Sequence, residues 1–138
     1  MCGVAGFLID SQFSSSMNYD AVIKKMTNSI KHRGPNDSGS WNNFLDGIFL
    51  GHRRLSILDL SEAGHQPMES SNDRYVIAFN GEIYNHLQIR SEIEKSNKNI
   101  SWRGHSDTET ILCAFETFGI EASIKKFTQQ EKVPYESR

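Results

Sequence analysis

Directly behind the second residue stands Gly3 to Ile9, GVAGFLI, an almost uniformly apolar run. A half-exposed strand alternates apolar with polar side chains, so a run like this reads as a strand buried on both faces. A chain that begins this way needs layers on both sides of its first strand. Its 138 residues are an ordinary length for one domain. Hydrophobic residues make up 37% and charged residues 23%, which excludes a disordered chain and a coiled coil.

The remaining elements decide which layers are available. Asp10 to Ser16 is polar and serine-rich, a loop. Asn18 to Lys31 reads as a helix: Val22, Met26 and Ile30 recur every four residues with Ile23 beside them, Asn18 can cap it, and Asp20 stands in its first turn. His32-Arg33-Gly34-Pro35 ends it, because proline forbids continuation and glycine tolerates a left-handed exit. Asn36 to Ser40 is turn chemistry, Gly47 to His52 and Arg54 to Leu58 are two strand candidates, and Glu62 to Pro67 is a loop. Tyr75 to Phe79, YVIAF, is a strand closed by the turn pair Asn80-Gly81. Asn85 to about Asn97 is a second helix with Leu87, Ile89 and Ile93 as its apolar side, and Trp102 opens a short extended segment. Ser106 stands three residues before Glu109, the spacing of a reciprocal capping box. It opens a helix whose buried face is Ile111, Leu112, Phe115 and Phe118, with Gly119 as its stop; Glu121 to Phe127 is a fourth, short helix. Strands and helices mix without regular alternation, and no glycine-rich phosphate loop follows a strand. The expectation is therefore an antiparallel α+β fold.

Charge and spacing exclude several functions. The net charge is -2, and Arg53-Arg54 and Lys24-Lys25 are only pairs, so no nucleic-acid footprint is present. The apolar run near the N-terminus is too short for a signal peptide or a membrane span and follows no basic region, so a soluble cytoplasmic protein is expected. The two cysteines, Cys2 and Cys113, allow a disulfide that nothing requires. The five histidines show no zinc spacing; they are expected to serve turns and backbone hydrogen bonds, with no metal site.

Five features can carry chemistry. Removal of Met1 would leave Cys2 with a free amine and a thiol on one residue. A terminal amine titrates near about 7.8 and a thiol near about 8.5, so the amine is a base matched to its own thiol. The alternative is a buried structural cysteine. Asn80-Gly81 is either a tight turn or an oxyanion hole, in which the asparagine amide and the following N–H point at one oxygen. Arg54 can grip a carboxylate with two hydrogen bonds, and Glu82 and Asp107 can hold an ammonium; together they would recognise both ends of a free amino acid. The alternatives are solvated surface charges for Arg54 and Glu82, and helix-end electrostatics for Asp107.

Six blocks together resemble the glutamine-hydrolysing domain of class II glutamine amidotransferases, and within that class the asparagine synthetase family. They are Met-Cys-Gly-Val-Ala-Gly-Phe at the start, His32-Arg33-Gly34-Pro35, Gly51-His52-Arg53-Arg54-Leu55-Ser56-Ile57, Gly64-His65-Gln66-Pro67, Phe79-Asn80-Gly81-Glu82-Ile83-Tyr84-Asn85, and Ser106-Asp107-Thr108-Glu109. The resemblance covers Met1 to about Phe127. It implies a four-layer αββα N-terminal nucleophile sandwich of antiparallel sheets. It implies Cys2 as nucleophile with its own amine as base, and an oxyanion hole from Asn80 and Gly81. Arg54, Glu82 and Asp107 would bind glutamine's carboxylate and amino groups, and the backbone around Leu55, Ser56 and Ile57 would line the pocket. Glutamine becomes glutamate plus ammonia through a glutamyl thioester, without a cofactor. In complete relatives the ammonia reaches a synthetase domain of the same chain, which uses ATP and magnesium to make asparagine from aspartate.

The chain departs from the family pattern at two places. Asn36 stands where aspartate is usual, with little effect expected. After Phe127 the family continues with glycine and an apolar strand, whereas here the chain reads Thr-Gln-Gln-Glu-Lys-Val-Pro-Tyr-Glu-Ser-Arg. The expectation is a partial amidotransferase domain over 1–127 and a polar tail over 128–138, with the sandwich incomplete at its C-terminus. Missing strands would leave a sheet edge and apolar side chains uncovered. Beside the glutaminase reading stand two others: a non-catalytic fragment or binding module, and the glutaminase domain of a different amidotransferase.

Overall fold

A computed structural model of the chain describes residues 2–10, 17–56, 61–97 and 99–128. Among them the expected α+β architecture is present, as two antiparallel sheets and four α-helices. The segments 11–16, 57–60 and 129–138 lie outside the described residues, and with them most of the serine-rich loop, the far end of the Arg54–Leu58 strand candidate and nearly all of the tail.

The first sheet has the order β1-β3-β2, from β1 (Gly3–Leu8), β2 (Asp37–Asn43) and β3 (Ile48–Arg54). β1 runs antiparallel to β3 from Gly3 opposite Arg53 to Leu8 opposite Ile48, and β2 flanks β3 from Asp37 opposite Arg54 to Asn43 opposite Ile48. Helix α1 (Tyr19–Ser29) lies on one face, capped as expected by Asn18, whose side chain accepts from the Ala21 amide at 3.0 Å. Its buried residues are Ile23 and Thr27. The approach is close because Gly51 of β3 lacks a side chain: a Cβ there would run into Thr27 Oγ1 and Ile23. At the far end of the same face Phe7 stacks on Phe49 at 4.7 Å, and Tyr19 packs against Phe49 at 5.5 Å.

Several expectations are corrected here. β1 is buried on one face only: Val4 is 43% exposed and Leu8 75%. Helix α1 covers one side, and no described residue covers Leu8 on the other. Asp37 to Ser40 is not a turn but the first half of β2, whose small polar side chains gave no strand pattern; pairing with β3 makes it a strand. The first of the two strand candidates flanking Arg53 runs on through Arg53 to Arg54 as β3, with Arg53 turned inward to donate to the Thr27 carbonyl and Asn28 Oδ1 at the end of α1; of the second candidate only Arg54 is strand, and Leu55 and Ser56 are not.

The second layer is helical. The short strands β4 (Met68–Glu69) and β5 (Val76–Ile77) pair antiparallel. Helices α2 (His86–Ser96), α3 (Asp107–Phe118) and α4 (Ile120–Thr128) surround a core of Ile83, Ile89, Ile93, Ile111 and Ala114. Each fully buried isoleucine contributes roughly 1.5–3 kcal/mol. Leu87, expected on the apolar side of α2, is 70% exposed, because the buried face of α2 is Ile89, Arg90 and Ile93. Trp102 opens no strand; its ring lies 4.0 Å from the Arg90 guanidinium and its N–H reaches Glu94. The capping box is one-sided: Ser106 Oγ accepts from the Glu109 amide at 3.2 Å, while the Glu109 carboxylate turns instead to the amides of Arg103 and Gly104. Gly119, at φ +81°, ends α3 as expected.

Candidate active site

β3 leaves its ladder after Arg54, and the next two amides find side-chain acceptors. Leu55 N–H donates to Cys2 Sγ at 3.4 Å, and Ser56 N–H donates to Asn36 Oδ1 at 3.1 Å. An aspartate at 36 would offer the same kind of acceptor. Cys2 precedes Gly3, which opposes Arg53, so the β1–β3 ladder carries the half-buried thiol to the end of β3. Both cysteines are free. Arg54 is no solvated surface charge: its guanidinium donates to the Ser61 carbonyl at 2.7 Å and lies against Gly64, where a Cβ would collide with it. Opposite it on β2, Asp37 accepts from His65 Nδ1 at 2.8 Å. Burial pushes Asp37 up, but the His65 and Ser38 hydrogen bonds and the charges of His65 and Arg54 outweigh it and hold the carboxyl below its usual value.

A second group forms where β5 runs out. Of the expected strand Tyr75 to Phe79 only Val76 and Ile77 pair with a neighbour. Phe79 bonds to side chains instead: its N–H donates to Gln66 Oε1 at 2.7 Å and its carbonyl meets His52 Nε2 at 3.1 Å. His52 therefore serves a backbone hydrogen bond, as expected of the histidines. It is fully buried in β3, and desolvation lowers its pKa despite the Phe79 bond, so the ring is neutral and donates through Nε2. Gln66 is buried and precedes Pro67 in a cis peptide. It reaches this place because Gly39 of β2 leaves room for the 65–66 backbone; a Cβ at 39 would meet the Gln66 carbonyl.

Asn80, Gly81 and Glu82 follow, all exposed. The next amide, Ile83 N–H, donates to Asp107 Oδ2 at 2.9 Å, which places Glu82 beside the start of α3. The loop ahead of α3 is held from below. Arg90 donates to Thr110 Oγ1 at 2.8 Å, to the Gly104 carbonyl at 2.9 Å and to the Ser106 carbonyl at 3.0 Å, and pairs with buried Glu109 at 3.4 Å. A buried guanidinium is tolerated only when its donors are met in this way.

Seven of the eight candidate residues thus fall into two groups. Cys2, Arg54 and Leu55 gather at the end of β3, and Asn80, Gly81, Glu82 and Asp107 at the 80–83 loop and the start of α3. His52 joins the groups. Ile57 lies outside the described residues. Reading the sequence missed the holding residues Gln66, Thr108 and Arg90; the only signal for Gln66 was its place in the Gly64-His65-Gln66-Pro67 block. Two surface cavities, of about 370 and 620 Å³, lie elsewhere, one beside Trp41 and His65, the other beside Asn72 and Cys113. Neither is lined by Cys2, Asn80 or Asp107. No group of three or more His, Cys, Asp or Glu among the described residues is placed to hold a metal, and no described helix is long and apolar enough to cross a membrane.

The chain is similar to known proteins over nearly its whole length. The glutamine amidotransferase domain family matches residues 1–129. The asparagine synthetase [glutamine-hydrolyzing] 1 of Bacillus subtilis is 36% identical over 125 residues, which span 91% of this chain and 19% of that protein. A putative asparagine synthetase [glutamine-hydrolyzing] 2 of Methanocaldococcus jannaschii is 37% identical over 143 residues, 92% of this chain and 26% of that protein. Amidase chry2 of Gibberella zeae is 32% identical over 127 residues, 87% of this chain and 18% of that protein. The chain thus spans about a fifth to a quarter of the length of these relatives.

Proposed function

The chain belongs to the glutamine amidotransferase domain family, and from that premise we propose that it carries the glutamine-hydrolysing half-reaction of an asparagine-synthetase-type enzyme. With Met1 removed, the Cys2 amine takes the thiol proton and the thiolate attacks the side-chain carboxamide carbon of glutamine. The oxyanion that forms is met by the Asn80 amide and the Gly81 N–H. The C–N bond then breaks, ammonia leaves with the proton returned by the amine, and a glutamyl thioester remains on Cys2. Water attacks the thioester, which yields glutamate and restores the thiol. Arg54 takes the α-carboxylate, Glu82 and Asp107 the α-ammonium, and the backbone at Leu55 and Ile57 lines the pocket.

The single observation that carries the reading is the family match over residues 1–129. The Leu55 amide on Cys2 Sγ supports it. In the longer proteins of this kind the ammonia would feed ATP- and magnesium-dependent asparagine synthesis, in a synthetase domain of the same chain and in the cytoplasm. No chemistry of that domain is assigned to the residues here. The exposure of Val4 and Leu8 favours a second reading, in which residues 1–127 are a partial domain that keeps the family's fold without turnover.

The two readings part on one experiment, mass spectrometry of the chain after brief exposure to the electrophilic glutamine analogue 6-diazo-5-oxonorleucine. The background is low, since burial pushes the Cys113 thiol up to about 11 and keeps it protonated. Loss of Met1 and one adduct on Cys2, absent in Cys2→Ala, is the result expected of an assembled site. A processed chain that gains no adduct refutes turnover by these residues and leaves the second reading.

A further inference from the structure

Hydrogen bonds on both sides of the 80–82 segment belong to one closed circuit. Phe79 N–H donates to Gln66 Oε1 at 2.7 Å, and Gln66 Nε2 donates to Thr108 Oγ1 at 3.1 Å. Thr108 Oγ1 donates to Asp107 Oδ1 at 3.5 Å, and Asp107 Oδ2 accepts from Ile83 N–H at 2.9 Å. The main chain from Ile83 back to Phe79 closes the ring. Its hydrogen-bond polarity is fixed at every step. A main-chain N–H can only be met by the carboxamide oxygen of Gln66, so the NH2 group must face Thr108. Asp107 offers only acceptors, so the Thr108 hydroxyl is the donor in the 3.5 Å link between them. Gln66 and Thr108 are 6% and 3% exposed, so water does not substitute for either link.

Asn80, Gly81 and Glu82 form the main-chain arc of the ring, and Asp107 lies on its side-chain arc. We propose that Gln66 and Thr108 are positioning residues that fix the oxyanion-binding pair relative to the carboxylate that receives the substrate's ammonium. Through them, Asn80 and Gly81 are held in register with the carboxylate that Asp107 offers the ammonium. Neither residue touches substrate. The inference rests on the roles given above to Asn80, Gly81 and Asp107. A misplacement of about 1 Å in such a donor pair costs on the order of 10²-fold in rate, so a two-link tether of this kind carries measurable weight.

Thr108→Val keeps the branched shape and cuts both of its links; Thr108→Ser keeps the hydroxyl. Three quantities decide the matter in the Met1-processed chain: the rate of Cys2 labelling by 6-diazo-5-oxonorleucine, the rate of its labelling by iodoacetamide, and hydrogen exchange of the Phe79 and Ile83 amides by NMR. In Thr108→Val, labelling by the analogue is expected to slow about tenfold while iodoacetamide labelling stays unchanged, and both amides are expected to exchange about tenfold faster. Thr108→Ser is expected to restore all three to within about twofold of the parent. Should valine prevent folding, Thr108→Ala removes the same links by truncation. Exchange and a labelling ratio equal to the parent's in the folded variant overturn the proposal, as does faster exchange with an unchanged ratio. A parent chain that iodoacetamide labels and the analogue does not would refute the glutaminase reading and, with it, the coupling to substrate; exchange alone would then decide whether the tether holds the loop.

Discussion

The two halves of the candidate site are held by different means. At the Cys2 half the backbone supports itself: β3 has a partner on each side from Ile48 to Arg53, and Cys2 and Arg54 stand at the end of that ladder. At the Asn80 half the ladder is two residues long, and side chains take over where it stops. Phe79 is held by Gln66 and His52, and Ile83 by Asp107. A ladder built from main-chain groups tolerates most side-chain changes, because every residue type brings the same donor and acceptor. A loop built on three particular side chains has no such tolerance. The first half is therefore expected to break only where backbone approach is blocked, and the second wherever a holding side chain is lost.

The largest effect tests the first half. Gly51→Val places carbon where Thr27 and Ile23 already sit, and is expected to cost about 3–5 kcal/mol or abolish the cooperative urea transition. Ser40→Val, at an exposed position of neighbouring β2, is expected to stay within about 0.5 kcal/mol. Comparable losses from both would sink the distinction. In the second half, Gln66→Leu leaves the Phe79 N–H without its acceptor and is expected to cost about 1–3 kcal/mol in the same urea series.

Acid sharpens the contrast further. The His52 pKa is lowered in the folded chain, so folding favours its neutral form. The stability it supports is full above its ordinary 6.5 and is lost as pH falls below that value toward the lower folded one. Asp37 and Glu116 are depressed carboxylates; the stability they contribute is present above their ordinary 3.8 and 4.5 and is lost as pH falls through their lower folded values. Melting temperature is thus expected to fall in two steps. His52→Gln, which still offers Phe79 a donor, removes the upper step and spares the lower. An unchanged upper step would mean that another group titrates there. The smallest effect is a control remote from both halves: Asn18→Ala costs α1 its cap, about 1 kcal/mol, and leaves the rate of Cys2 labelling alone.

The same contrast explains what the sequence made legible. All four helices could be read; for α1 and α3 the signals are local, as Asn18 and Ser106 cap within three residues and Gly119 stops α3 by its own backbone. β2 could not, because its strand character comes from β3 and not from DSGSWNN. Arg53 hid the continuity of β3, since nothing nearby in sequence announces that it caps the end of α1. The candidate site residues are named because six short blocks carry the family resemblance. Their supports could not be read, because Gln66, His52 and Arg90 bond mostly to atoms of residues 13 or more positions away. Such partners become neighbours only after folding.

Gly64 carries a consequence for anyone who would retune this domain. The space a Cβ would need there is occupied by the tip of Arg54, a flexible side chain, and not by backbone. Alanine at 64 therefore moves a positive charge before it disturbs the fold. A single codon becomes an adjustable stop that sets how far the guanidinium reaches. On the role proposed above for Arg54, small libraries at this position would vary how far from Cys2 a substrate carboxylate is held.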